Sequence, residues 1–131
     1  MSKLFFLVLI LTLGLSACQQ HEHQHGEADT THVQLNNGKK WQANTETTQG
    51  IRNMQSLLNG ATDNTAELGA QLENEFNLIF KNCTMTGDAH EQLHNYLLPM
   101  KDQLKQLKDG NSEAQRQEMQ AYLKTYDNYF E

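Results

Sequence analysis

This 131-residue sequence predicts an all-α fold: an up-down-up-down four-helix bundle behind a disordered N-terminal tether. Three observations carry the expectation. From Trp41 onward, apolar residues recur every three or four positions, the period of one helix face, and no stretch shows the alternation of a strand. The chain holds a single proline, Pro99. Capping residues and glycines break the apolar stripes into four segments with short connections, which makes each helix antiparallel to the next.

The first helix opens at Asn44 or Thr45, carries Ile51, Met54, Leu57 and Leu58 on one face, and stops at Gly60. The second opens at Thr62 or Asp63. Its stripe is Leu68, Leu72, Phe76, Ile79 and Cys83, so Cys83 continues the buried face at the helix end. The third begins with Asp88 and Glu91, spaced as a capping box, and buries Leu93, Leu97, Met100, Leu104 and Leu107. Pro99 falls inside it, frees the Asn95 carbonyl, and is expected to bend the helix. Asp109-Gly110 closes that helix. Ser112 with Gln115 opens the fourth, which packs Met119, Tyr122, Leu123, Tyr126 and Phe130.

Ahead of the bundle the chain reads differently. Lys3 precedes "LFFLVLILTLGL", an apolar run too short to span a bilayer stably. It ends in "LSAC", where Ser16 and Ala17 before Cys18 resemble the lipobox of bacterial lipoproteins. That resemblance implies cleavage before Cys18 and lipid on its thiol. Gln19 in the next position resembles the sorting signal for the outer membrane. The expected organisation is a signal peptide at 1–17, a lipidated His-rich flexible tether at 18–40 and the bundle at 41–131. The expected location is the cell envelope, lipid-anchored, at the outer membrane facing the periplasm.

Cleavage removes one charge, Lys3, and takes the formal net charge from −6 to −7. An acidic chain argues against nucleic acid as a partner, because phosphate binding needs a basic surface. Lipidation of Cys18 leaves Cys83 as the only other thiol. In an oxidising compartment that thiol must be buried, paired between chains, or protected by a ligand.

Two groups of residues bear metal-binding chemistry. The tether carries His21, His23 and His25 in alternation and then His32, a tract able to capture zinc, copper or nickel loosely, or simply to stay solvated. The stretch "CTMTGDAHEQLHNYLLP" places Cys83, Met85, His90 and His94 within twelve residues. At about 100° per residue, with His90 at 0°, His94 falls near 40° and Leu97 near −20°. Both imidazoles therefore lie on or beside the core stripe, one turn apart, and the loop brings two sulfurs toward them. A thiolate with a thioether selects soft ions, Cu(I) above all, so copper ranks over zinc. Non-covalent haem ranks lower still, since Cys-x-x-Cys-His is absent. Taken singly, each of these residues also suits an ordinary helix junction; the joint occurrence favours a metal site.

The strings "LNNGKKWQAN" and "CTMTGDAHEQLHNYLLPM" resemble a group of small bacterial lipoproteins or periplasmic proteins, typical of Bacteroidetes-like genomes and associated with copper or heavy-metal handling. The resemblance spans about residues 33–108. It implies a helical bundle with Cys83, Met85, His90 and His94 as its functional positions.

The expected function is that of a membrane-tethered copper-binding lipoprotein, with sequestration, delivery or electron transfer open. The alternative is a metal-free envelope bundle that binds a protein partner, for which the aromatics Tyr122, Tyr126, Tyr129 and Phe130 are the candidate surface. A homodimer sharing ligands is compatible with a site at one end of the bundle. An enzyme is not expected: a Cys83–His90 nucleophile would lack an orienting carboxylate and an oxyanion hole.

Overall fold

A computed structural model of the chain describes residues 32–60, 65–109 and 113–131. The expectations for Cys18, His21, His23 and His25, and for the apolar run before them, lie outside the described residues. The described chain is helical: α1 (Thr45–Asn59), α2 (Thr65–Asn82), α3 (Gly87–Asp109), α4 (Glu113–Lys124) and the single turn α5 (Tyr126–Tyr129). Its only β pairings are two isolated bridges, Asn36 with Lys39 and Trp41 with Phe130. Among the described residues, no helix is long and apolar enough to cross a membrane.

Cross-helix contacts fix the topology. Asn44 before α1 donates to the Asn82 carbonyl at the end of α2, at 3.1 Å, and further along Asn53 donates to Glu75 at 2.9 Å. Sequence numbers rise on one helix as they fall on the other, so α1 and α2 are antiparallel. The same reasoning orders α2 and α3, through Lys108–Glu73 at one end and Cys83 beside His90 at the other. Arg52–Asp127, Gln55 to the Leu123 carbonyl and Gln120 to the Leu58 carbonyl order α1 and α4. This is the four-helix bundle, up-down-up-down, that the periodicity predicts.

The apolar stripes meet in one core. Ile51, Met54, Leu58, Leu72, Ile79, Leu93, Leu97, Met100, Met119 and Leu123 are all buried, and burial of such side chains contributes about 1.5–3 kcal/mol each before entropy is counted. Gly50 sets the α1–α2 spacing, because a Cβ there would run into the side chain of Ile79. The helix α3 continues through Pro99.

Three local details differ from expectation. Asn44 is the N-terminal boundary residue of α1, but its side chain does not cap the helix. It accepts from the buried Thr47 hydroxyl at 2.7 Å and donates toward α2 instead. The fourth helix breaks at Thr125, whose hydroxyl donates to the Tyr122 carbonyl at 2.7 Å while its N–H takes the same acceptor at 2.9 Å. That tight local bonding ends the α-helical ladder and redirects the chain into α5. Finally, the packed chain begins at Val33 rather than Trp41: Val33 is buried in the core, and residues 33–44 form a strap across one end of the bundle.

The strap is held by the other terminus. Trp41 donates its N–H to the Tyr129 carbonyl at 2.7 Å, Glu131 returns a bond to the Trp41 carbonyl at 2.9 Å, and Ala43 bonds the Glu131 carbonyl at 2.9 Å. The Trp41 indole N–H reaches back to the Gln34 carbonyl at 2.6 Å. The C-terminal aromatics pack as the fourth-helix stripe predicts: Tyr122, Tyr126 and Phe130 are fully buried and Tyr129 packs against the core, so they build the interior and are not the partner surface of the alternative reading.

Candidate metal centre

The α2–α3 connection is short because the chain reverses at once. Cys83 follows the last residue of α2, and Gly87, at φ +63°, takes the left-handed turn into α3 that a side chain would resist. The reversal stacks the end of α2 on the first two turns of α3. Cys83 and Met85 are half-buried against the core, and His90 and His94 are half-buried on the flank of α3 that faces α2.

Cys83 Sγ stands 3.7 Å from His90 Nδ1. The same nitrogen is 2.7 Å from the Met85 carbonyl oxygen, which can only accept, so Nδ1 carries the proton and Nε2 keeps the lone pair. The His90 and His94 rings lie 4.4 Å apart, inclined by 34°. Phe80, from the last turns of α2, meets His94 edge to face at 5.6 Å. Cys83 is a free thiol.

The four residues expected as ligands are thus brought to one end of the bundle, but not yet as a coordination sphere. Among the described residues, no three His, Cys, Asp or Glu side chains are grouped to hold an ion. Met85 contributes its backbone carbonyl to the cluster, as the acceptor that orients His90. His32 is exposed.

The donor chemistry nevertheless fits a soft cation at one place. Two ligands of a tetrahedral ion, sulfur at about 2.3 Å and nitrogen at about 2.0 Å, stand about 3.5 Å apart. The Cys83–His90 separation is within a few tenths of an ångström of that value. An ion between Sγ and Nδ1 would take the nitrogen from the Met85 carbonyl and send the proton to Nε2.

Two residues of the site are not apparent from ligand spacing. Phe80 supports His94, and its only sequence signal is a large aromatic beside, rather than on, the α2 stripe. Gln92 receives the strap: the Gln34 N–H donates to its Oε1 at 2.7 Å. It is an ordinary polar residue in the sequence, and only the fold gives it this role. No family model, curated protein or solved structure matches this chain.

Proposed function

We propose that the protein is a membrane-tethered periplasmic lipoprotein that binds copper for sequestration or delivery, with Cys83, Met85, His90 and His94 as its ligand group. The observation that carries this reading is the separation of Cys83 Sγ and His90 Nδ1, which matches two ligands of one ion. A thiolate, a thioether and imidazoles together favour Cu(I) over the harder divalent ions. The half-buried setting leaves the ion a route in and out, as a cargo site requires. The lipid anchor at Cys18 and the outer-membrane location rest on the sequence pattern alone, and the tract His21, His23, His25 and His32 is the looser capture group.

Anaerobic titration of the full chain with Cu(I), against a chromophoric competitor, tests the reading. One tightly held equivalent in the wild type, lost in Cys83→Ser/His90→Ala, is the expected result. Equal weak binding by both proteins leaves the second reading, a metal-free envelope bundle that docks a partner. One observation favours that alternative: Phe80 and Leu98 are 40% and 58% exposed beside His94, an apolar face at the same end of the fold.

A further inference from the structure

We propose that the outer face of α3 is a self-association surface. A second copy of this chain docks there antiparallel, with Leu98 against the partner's Leu98 and Glu91 paired to the partner's Lys105 on either side. Pairing of this kind is independent of the copper reading, and it gives the exposed apolar face beside His94 an occupant.

The register of one helix lays out the face. Leu98 is 58% exposed, the most of any large apolar residue described, whereas Tyr96 and Leu97 just before it are buried. Glu91 precedes Leu98 by seven positions and Lys105 follows it by seven, and both are exposed. Seven residues make nearly two whole turns, with a drift of about 20° per step, so the three side chains share one stripe pointing away from the core. Phe80, near the end of α2, widens the apolar centre: it is exposed and meets His94 edge to face, one turn before Leu98. Nothing within the chain uses the two charges. Among the described residues the ion pairs are Arg52–Asp127, Lys108–Glu73 and Arg116–Glu113, and neither Glu91 nor Lys105 belongs to one.

This layout is complementary to itself. Positions 91 and 105 lie symmetrically about 98, so a two-fold axis at Leu98 reverses the second α3 and sets each acidic residue against a basic one. One contact thereby gains two ion pairs around an apolar centre. A parallel arrangement would set Glu91 against Glu91 and Lys105 against Lys105, which repel. In the antiparallel register Asn95 falls opposite the partner's Asp102, an amide donor facing a carboxylate. The chain carries a net charge of −6, so matched opposite charges on the contact face are needed to offset the general repulsion between copies. An anionic membrane surface is a poorer match, since Glu91 and Asp102 stand on the same face as Lys101 and Lys105.

The contact covers one helix face and so belongs with the small specific interfaces, below about 1,200 Å² in total, whose partners separate readily. It also keeps the two Cys83–His90 clusters apart. His90 lies eight residues from Leu98, about 12 Å along the helix, which puts the clusters about 24 Å from each other along the seam and leaves no ion shared between copies.

Sedimentation equilibrium of the full chain, in a detergent matched to the solvent density, tests the pairing from about 1 μM to about 1 mM, the span over which contacts of this size dissociate. The wild type should pass from monomer to dimer. Glu91→Lys alone and Lys105→Glu alone should each weaken the dimer tenfold or more, because each sets like charges together twice. An equimolar mixture of these two variants should regain it, since both pairs are again opposite, and so should the double variant Glu91→Lys/Lys105→Glu. Leu98→Asn should weaken it as well. All three positions are exposed, so helical circular dichroism should stay unchanged throughout. A monomer at every concentration overturns the self-association and leaves the face to a different protein. A dimer indifferent to the single reversals, or not restored in the mixture, overturns the register and with it the surface.

Discussion

Tyr96 and Tyr122 exchange hydrogen bonds across the α3–α4 interface: the Tyr96 hydroxyl donates to the Tyr122 carbonyl at 3.0 Å, and the Tyr122 hydroxyl donates to the Tyr96 carbonyl at 2.7 Å. Their rings lie 5.0 Å apart, and Tyr126 and Phe130 extend the aromatic cluster. The Tyr122 carbonyl keeps Thr125 as a partner when Tyr96 is truncated. Tyr96→Phe should therefore cost only the net worth of one bond, about 0.5–1.5 kcal/mol. A double-mutant cycle with Tyr122→Phe, read by urea unfolding, should show coupling, and strictly additive losses would mean that the two bonds act independently.

The same burial sets an alkaline limit on stability. Burial pushes the Tyr96 and Tyr126 hydroxyls above the ordinary value of 10.0, with the Thr48 contact to Tyr126 opposing part of that shift. The unfolded chain ionises first as pH rises, so the folded state loses free energy from about pH 10 upward and keeps it fully below. Unfolding midpoints should be flat across this effect at neutral pH and fall above pH 10. The fall should be smaller in Tyr96→Phe.

Gly50 faces Ile79 where α1 and α2 approach most closely. Gly50→Ala gains helix propensity of about 1 kcal/mol but forces the helices apart or twists Ile79, at a cost of about 1–3 kcal/mol. The expected net result is a lower thermal midpoint. Gly50→Ala/Ile79→Val should recover part of it, and a single substitution that stabilises the protein would contradict the close packing.

Loading of the cluster should move a proton within one ring. Without metal, His90 bears its proton on Nδ1, held by the Met85 carbonyl. With Cu(I), the proton should sit on Nε2. Nitrogen chemical shifts of the His90 ring report the tautomer directly, and an unchanged pattern on addition of one equivalent would count against Nδ1 as the ligand.

Trp41 links the strap to the C-terminus through two backbone hydrogen bonds and braces the strap itself through its indole N–H, which donates to the Gln34 carbonyl. In Trp41→Ala the indole bond to Gln34 is lost and a half-buried ring is removed. Amide exchange at Gln34 should quicken at least tenfold, while amides in the middle of α2 keep their protection. Uniform acceleration throughout the chain would instead indicate global destabilisation.

Most of the bundle was legible in the sequence because helix periodicity is local. Ile51, Met54 and Leu58, or Leu93, Leu97 and Leu104, declare a buried face whatever they pack against, and short connections then leave few ways to assemble four such faces. The break at Thr125 was not legible, since a threonine hydroxyl competes for a carbonyl only once the surrounding chain holds it there. Periodicity placed Tyr122, Tyr126 and Phe130 on the packed face, but it could not by itself exclude the partner surface of the alternative reading. Whether Tyr122 and Tyr126 face the interior or a partner depends on whether their hydroxyls find hydrogen-bond partners, and those partners are the Tyr96 carbonyl and the Thr48 hydroxyl, far away in sequence.

By itself the sequence determined the four helices, their antiparallel order and the gathering of Cys83, Met85, His90 and His94 at one end, because each follows from spacing within about twenty residues. Tertiary structure alone decided which atoms of that group meet. Cys83 and Met85 both engage the Nδ1 edge of His90, one through sulfur and the other through its carbonyl, while His94 is taken up by Phe80 and the neighbouring ring. It also decided that Val33 belongs to the core and that the strap is pinned at Gln92. The reason is physical: periodicity specifies the face of a helix, but side-chain rotamers and the contacts of an irregular segment are fixed only by the neighbours the completed fold supplies.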